Sequence, residues 1–210
     1  MLLILGRYFD ITILTTQGAT FLTASIASLS YSEEFIPIIM RLNRKFFNRD
    51  TIVVARELLG KYLVRRINGK LIKAKITETE AYCGPNDKAC HASKGLTERT
   101  KIMFGPPGFS YVYMIYGMYH CLNIVTERAG YPAAVLIRAV NYKECNGPGK
   151  VCRELGIDKK LNGIDMCKSK ELRINDGGEI VKPHQIKKGK RIGVDYAGAW
   201  KNRLWRFYVD

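Results

Sequence analysis

The sequence is poor in metal-ligand patterns. Its three histidines form no H-x-x-x-H and its six cysteines form no C-x-x-C, so neither common zinc spacing is present. Cys83/Cys90 and Cys145/Cys152 are each seven residues apart, which is not a zinc spacing either. The even count of cysteines permits disulfides. A chain of 210 residues with 47% hydrophobic content can build its core without them, so reduced thiols in a cytoplasmic protein are expected. Acidic residues are scarce: 19 Asp and Glu stand against 34 Lys and Arg, a net charge of +15. That imbalance favours a polyanionic partner, most often nucleic acid. Internal repeats and low-complexity tracts are absent. Gly147-Pro148-Gly149-Lys150 is glycine-rich ahead of an expected helix, but Val151 stands where a Walker motif needs Ser or Thr.

Residues 1–39 differ from the rest. They carry Arg7 against Asp10, Glu33 and Glu34, a charge of −2 beside the +17 of residues 40–210. They contain no uninterrupted apolar run of 18 residues, so a spanning helix is not expected there. Ala24-Ser25-Ile26-Ala27 loosely resembles a cleavage site, but Arg7 alone makes a weak basic leader. The reading is an N-terminal extension over 1–39 and a functional domain over 40–210.

Within that domain, Asp50 reads as an N-cap to a helix over Thr51–Leu59 with Gly60 as its stop. Asn68-Gly69 between Tyr62–Ile67 and Leu71–Glu80 is a strong hairpin signal. Regular alternation along the second arm would put Ala74, Ile76, Glu78 and Glu80 on one face. A second hairpin joins Tyr111–Ile115 to Tyr119–Val125 around Tyr116-Gly117-Met118, and a strand follows over Ala133–Val140. A helix runs to Leu155, the stretch Asp158–Lys190 reads as loop, and Arg191–Val194 and Leu204–Val209 read as the last strands. Hairpins with few helices imply an α+β domain with a largely antiparallel sheet.

Chemistry-bearing residues gather between Ile76 and Asn123. Glu78 and Glu80 are each placed to activate water, and spacing alone does not choose between them. With Asp87 they also leave an oxygen-ligand metal site open, which would make the protein a metal-dependent nuclease. A non-catalytic nucleic-acid-binding module is the third reading. Most of the tyrosines suit core packing, but Tyr116 at a hairpin tip has little to pack against and suits a wedge entering a base stack.

The run Glu78-Thr-Glu80-Ala-Tyr82, Gly84-Pro85, Asp87, His91, Arg99-Thr100, Met103-Phe104, Pro107-Gly108, Tyr111-Val-Tyr113, Tyr116-Gly117-Met118 and Cys121-Leu-Asn123 resembles the alkyladenine (3-methyladenine) DNA glycosylase family of the mammalian type. Leu136-Ile-Arg138-Ala139, Gly147-Pro148, Arg191-Ile-Gly-Val194, Ala197-Gly198-Ala-Trp200 and Arg206-Phe-Tyr-Val209 extend the resemblance over about residues 44–210. Asp195-Tyr196 departs from it, since the mammalian proteins carry glycine-histidine there. The resemblance implies a single α+β domain with a curved, mostly antiparallel sheet, a protruding hairpin and surrounding helices. It implies Glu80 as general base, with Arg138 and the Val194 carbonyl holding the attacking water. Tyr82, His91 and Tyr113 would wall the base pocket, Asn123 would exclude the guanine 2-amino group, and Tyr116 would fill the place of the flipped nucleotide. Arg99, Lys101 and Lys150 are candidates for backbone phosphates. The implied protein is a monomeric, monofunctional glycosylase without cofactor or metal. It acts in the cytoplasm, away from any membrane, on double-stranded DNA with damaged purines.

Overall fold

A computed structural model of the chain describes residues 14–16, 19–21 and 40–210. In the first 36 residues, β1 (Leu14–Thr16) and β2 (Ala19–Phe21) pair antiparallel, Leu14 opposite Phe21. The cleavage-like Ala24–Ala27 lies outside the described residues. From Met40 the chain forms a short β3 (Met40–Arg41), then α1 (Arg44–Phe47), capped by the Asn43 side chain, and α2 (Thr51–Glu57). Asp50 caps α2 as its sequence position predicts, its carboxylate accepting from the Val53 N–H at 2.9 Å. Gly60 then turns the chain at φ 81°, where a β-carbon would stand 2.8 Å from Val181.

The next two strands, β4 (Tyr62–Ile67) and β5 (Lys70–Tyr82), are joined by Asn68 at φ 48° and Gly69 at φ 77°, the pair of left-handed residues that a tight hairpin needs. Next come β6 (Ser110–Ile115), β7 (Tyr119–Val125), β8 (Ala134–Asn141) and α3 (Pro148–Glu154). The chain ends with β9 (Leu172–Asp176), β10 (Lys187–Gly189) and β11 (Arg206–Tyr208). The sheet runs β3-β9-β4-β5-β8-β7-β6, with β11 on β5 and β10 outside β11, every pair antiparallel. This is the expected α+β domain with a curled antiparallel sheet and few helices. Strand β5 organises it. Its first half pairs with β4, its second half with β11 along the same edge, and β8 lines the other side.

Two stretches differ from the sequence reading. The supposed loop Asp158–Lys190 contains β9, which lies inside the sheet between β3 and β4. Leu172 and Ile174 are buried on either side of Arg173, but the Asn175 and Asp176 that follow are poor strand signals. The segment Arg191–Val194 is a bend rather than a strand, the strand having ended at Gly189. Gly193 at φ 76° breaks the extension, and Arg191 turns inward.

The alternation along β5 also slips. Ala74 and Ile76 sit in the main core as read, but the ladder with β8 is irregular on either side of Glu78. Beyond it Ala81 joins the core, and the Thr79 hydroxyl donates to the Ala55 carbonyl of α2 at 2.7 Å. Glu78, Glu80 and Tyr82 therefore face the other way from Ala74 and Ile76. Strand β8 slips in step: Ile137 and Val140 share the core, while Leu136 and Arg138 line a cavity. A bulge does this because a one-residue offset exchanges the two faces.

A buried ion pair ties the C-terminal bend to the loop after β5. Arg191 donates to both Asp87 oxygens, at 2.5 and 2.8 Å, and both side chains are fully buried. The guanidinium also donates to the Ala81 carbonyl at 2.9 Å and lies between the rings of Tyr82 and Trp205. The remaining Asp87 capacity is met by the amides of Cys83 and Ala89. Removing one partner strands a buried charge, so Asp87→Ala should cost about 3–5 kcal/mol in urea unfolding. The double variant Asp87→Leu/Arg191→Met should recover much of that loss. A single-variant loss below about 1 kcal/mol would place the pair in solvent instead.

Candidate active site

The slipped face of β5 brings two carboxylates under one arginine. Glu80 is fully buried; its Oε1 accepts from the Ile192 N–H at 2.9 Å and its Oε2 from the Tyr82 hydroxyl at 2.8 Å. The Arg138 Nη1 stands 3.5 Å from Glu80 Oε1. Burial raises the Glu80 pKa, and Arg138, the Ile192 amide and Tyr82 oppose the rise. Glu78 lies in a different setting. Its Oε1 accepts from Arg138 Nε and Arg206 Nη1, both at 3.0 Å. Glu78 is thus committed to two guanidinium groups and Glu80 to none as closely. Asp87 is committed to Arg191. The three carboxylates proposed for a metal site each face an arginine, and no group of three His, Cys, Asp or Glu suited to a metal occurs among the described residues.

Above these groups opens a cavity of ≈ 700 Å³. Tyr82, His91, Tyr113, Asn123 and Arg138 all line it, as does Val194. His91 and Tyr113 meet edge to face with ring centroids 4.6 Å apart, and the His91 Nδ1 pairs with the Tyr111 hydroxyl at 2.9 Å. Burial, with Arg99 and Lys94 nearby, pushes His91 down to about 4, so the ring is neutral at pH 7. Burial raises the phenols of Tyr82 and Tyr113 well above the usual range, so both remain protonated. The buried Asn123 amide donates to the Tyr111 carbonyl at 3.2 Å, which fixes its orientation in the wall. The Val194 carbonyl accepts from the Ala197 N–H at 2.9 Å and keeps its second lone pair.

Tyr116 stands at the tip of the β6–β7 hairpin, 80% exposed and in a left-handed conformation at φ 55°. It lies at the edge of the same cavity, as do Arg99 and Lys150. Arg99 packs over the Tyr113 ring, 5.0 Å from its centroid. Lys150 donates to Asn146 at 2.8 Å, and Lys101 pairs on the surface with Glu98 at 2.7 Å. Of the candidate residues named from the sequence, Glu78, Glu80, Asp87 and Lys101 do not border the cavity directly; the others do, and Glu80 reaches it through Tyr82 and Arg138.

The sequence reading missed the framework. Arg191 and Asp87 are 104 residues apart and together hold the bend whose Ile192 amide caps Glu80. Arg206, opposite Glu80 in the β5–β11 ladder, anchors Glu78. Neither pair has a local signature, because each joins strand-like or loop-like segments distant in sequence. Tyr196 also lines the cavity and ties its bend to the opposite loop by donating to the Ala89 carbonyl at 3.2 Å. No described helix is long and apolar enough to cross a membrane, and all six cysteines are free thiols.

Residues 45–210 match the family model described as methylpurine-DNA glycosylase (MPG). A protein of Methanocella arvoryzae is 51% identical over 185 residues, covering 80% of this chain and 91% of its own. One from Clostridium perfringens (strain SM101) is 47% identical over 196 residues, with 81% and 96% covered. One from Legionella pneumophila (strain Corby) is 49% identical over 174 residues, with 80% and 94% covered. Each carries 3-methyladenine DNA glycosylase as a provisional name. With the model matching most of its length, the chain belongs to the methylpurine-DNA glycosylase family.

Proposed function

We propose that this base-excision repair enzyme flips alkylated purines such as 3-methyladenine, and deaminated purines, out of double-stranded DNA. It then hydrolyses the N-glycosidic bond to leave an abasic site. The observation that carries the reading is a fully buried carboxylate, Glu80, beneath an aromatic cavity whose histidine is neutral. A base inside a duplex is out of reach, so extrusion at a cost of a few kcal/mol must come first. Stacking on Tyr82, His91 and Tyr113 returns about 1–3 kcal/mol per contact. A neutral His91 stacks on a cationic alkylpurine without repulsion. The side-chain amide of Asn123 disfavours a 2-amino group, and Arg99, Lys101 and Lys150 meet the flanking phosphates.

In the chemical step Glu80 takes a proton from water held by Arg138 and the Val194 carbonyl. The water oxygen bonds to the anomeric carbon, the glycosidic bond breaks, and its electron pair leaves with the purine. A positioned base contributes roughly 10²–10⁴-fold. In this reading the enzyme is monofunctional, releasing the base without a lyase step. The protein acts as a monomer with DNA as its partner.

Duplex DNA carrying one 3-methyladenine or hypoxanthine, incubated with the protein in EDTA, should yield free base. Glu80→Gln should abolish release while damaged-DNA binding persists, because the amide keeps the shape but takes up no proton. Wild-type single-turnover excision by that variant would refute the assignment, and loss of wild-type release in EDTA would favour a metal-dependent activity.

The pH profile has a defined sign. Glu80 must be ionised to act, and its pKa is raised above 4.5 by burial. Single-turnover excision should therefore fall with acid along a limb centred above pH 4.5. His91, near 4, titrates below that limb. A limb centred at 4.5 or lower would exclude the buried carboxyl as its source.

Tyr116→Ala should harm extrusion more than chemistry. The inserted ring opposes return of the flipped nucleotide, and its loss forfeits about 1–3 kcal/mol of stacking, on the order of tenfold or more in flipped population. The ratio of wild-type to variant excision rates should be larger in a paired than in a mispaired context, where extrusion is cheap. Equal ratios would remove Tyr116 from the flipping step.

A further inference from the structure

We infer that Glu78 is a positioning residue for hydrolysis, holding Arg138 off Glu80 so that its terminal donors stay free for the attacking water. The inference rests on the reading of Glu80 as general base. Its geometric basis is the unequal grip on one guanidinium. Arg138 is bound through Nε to Glu78 at 3.0 Å, whereas its Nη1 stops 3.5 Å from Glu80 Oε1. A free guanidinium beside a buried carboxylate closes to 2.7–2.9 Å and, where it can, makes two bonds. Arg138 does not close, so its terminal donors and the Glu80 carboxylate are not spent on each other and both can bind a water seated beside them.

Glu78 can restrain Arg138 because it is itself anchored. The same Oε1 accepts from Arg206 Nη1 at 3.0 Å, and Arg206 is fixed in turn by its Nε donating to the Lys190 carbonyl at 2.9 Å and by packing over Tyr208. The carboxylate and Arg138 are nearly buried, with side chains 15% and 11% exposed. Charges thus alternate from the surface inward as Arg206, Glu78, Arg138, Glu80. Binding Nε, the nitrogen nearest the stem, sets the plane of the guanidinium and points its terminal nitrogens toward the cavity.

The arrangement also sets the strength of the base. Facing Glu80 are Tyr82 and Glu78 from β5, Arg138 from β8, Tyr113 from β6, Cys121 from β7, Arg206 from β11, and the bend that carries Arg191 and the Ile192 amide. Tyr82, Tyr113 and Cys121 are kept neutral by burial, and Arg191 is matched by Asp87. The charges left to act are Arg138, which lowers the proton affinity of Glu80, Glu78, which raises it, and the more exposed Arg206. Neutralising Glu78 removes an anion and releases Arg138 toward Glu80. Both changes make Glu80 a weaker base, and the second spends on Glu80 the donor that would hold the water.

The test is Glu78→Gln in the full chain, followed as single-turnover release from duplex DNA with one 3-methyladenine across pH. The rate should fall by about tenfold or more, since misplacement of a reacting group by an ångström costs up to about a hundredfold. The acid limb should move to lower pH, and binding of the same duplex should stay near wild type. Glu78→Asp keeps the charge but shortens the reach, so its rate should fall while its limb moves less than that of Glu78→Gln. An unmoved limb in Glu78→Gln, or a wild-type rate in either variant, overturns the inference. If Glu78→Gln does not fold, the Glu78→Asp rate decides alone. Glu80→Gln run in parallel separates the two readings: residual excision there sinks the general base, whereas a dead Glu80→Gln beside an unmoved Glu78→Gln limb sinks only the role of Glu78.

Discussion

Keeping a carboxylate buried beneath a cavity is the constraint around which the domain is arranged. A buried carboxyl without partners neutralises itself by taking up a proton. Glu80 is fully buried and is supplied with an amide, a phenol and a guanidinium, each from a different part of the chain. The phenol comes from two residues along β5, which requires the slipped face. The guanidinium comes from the matching slip in β8. The amide comes from a bend that would be free to move without the Arg191–Asp87 pair. Any one of these lost leaves the charge less compensated.

The hairpin tip answers a different demand. A non-glycine residue at positive φ carries a strain of about 1–3 kcal/mol. Tyr116 bears that strain because the tight β6–β7 turn needs two left-handed residues, Tyr116 and Gly117, yet the residue is 80% exposed. An aromatic at so exposed a position makes sense if a partner provides a stack. The surroundings support this, because Tyr116 borders the cavity into which an extruded base would pass.

Much of this was legible where the chemistry is local. Asp50 as a cap, Asn68-Gly69 as a left-handed pair and Tyr116-Gly117 as a tip all depend on neighbours within a few residues, and all occur as read. Strand β9 was hidden because it offers only two inward apolar residues, Leu172 and Ile174, followed by Asn175 and Asp176, which suit loops. Parity along β5 failed for a deeper reason. Glu78 and Glu80 do share a face, yet alternation carried from Ala74 predicts the wrong one, since a bulge is a property of two strands and not of one. The choice between Glu78 and Glu80 likewise could not be made from spacing. It depends on Arg138 and Arg206, which arrive from 60 and 128 residues away.

The same constraint sets a relation between activity and stability. The folded-state pKa of Glu80 lies above that of the unfolded chain, so the fold binds its proton more tightly than the unfolded state does. In the window between those two values the folded state carries more protons, and stability falls as pH rises. Above the window, where the proposed general base is ionised, the fold retains that penalty in full. Base strength and penalty have one origin, because the burial that raises the proton affinity of Glu80 is the burial that destabilises its charge. Neighbours that lowered the pKa to its ordinary value would remove the penalty and weaken the base together. The unequal hold on Arg138, tight to Glu78 and loose to Glu80, keeps the site between those limits.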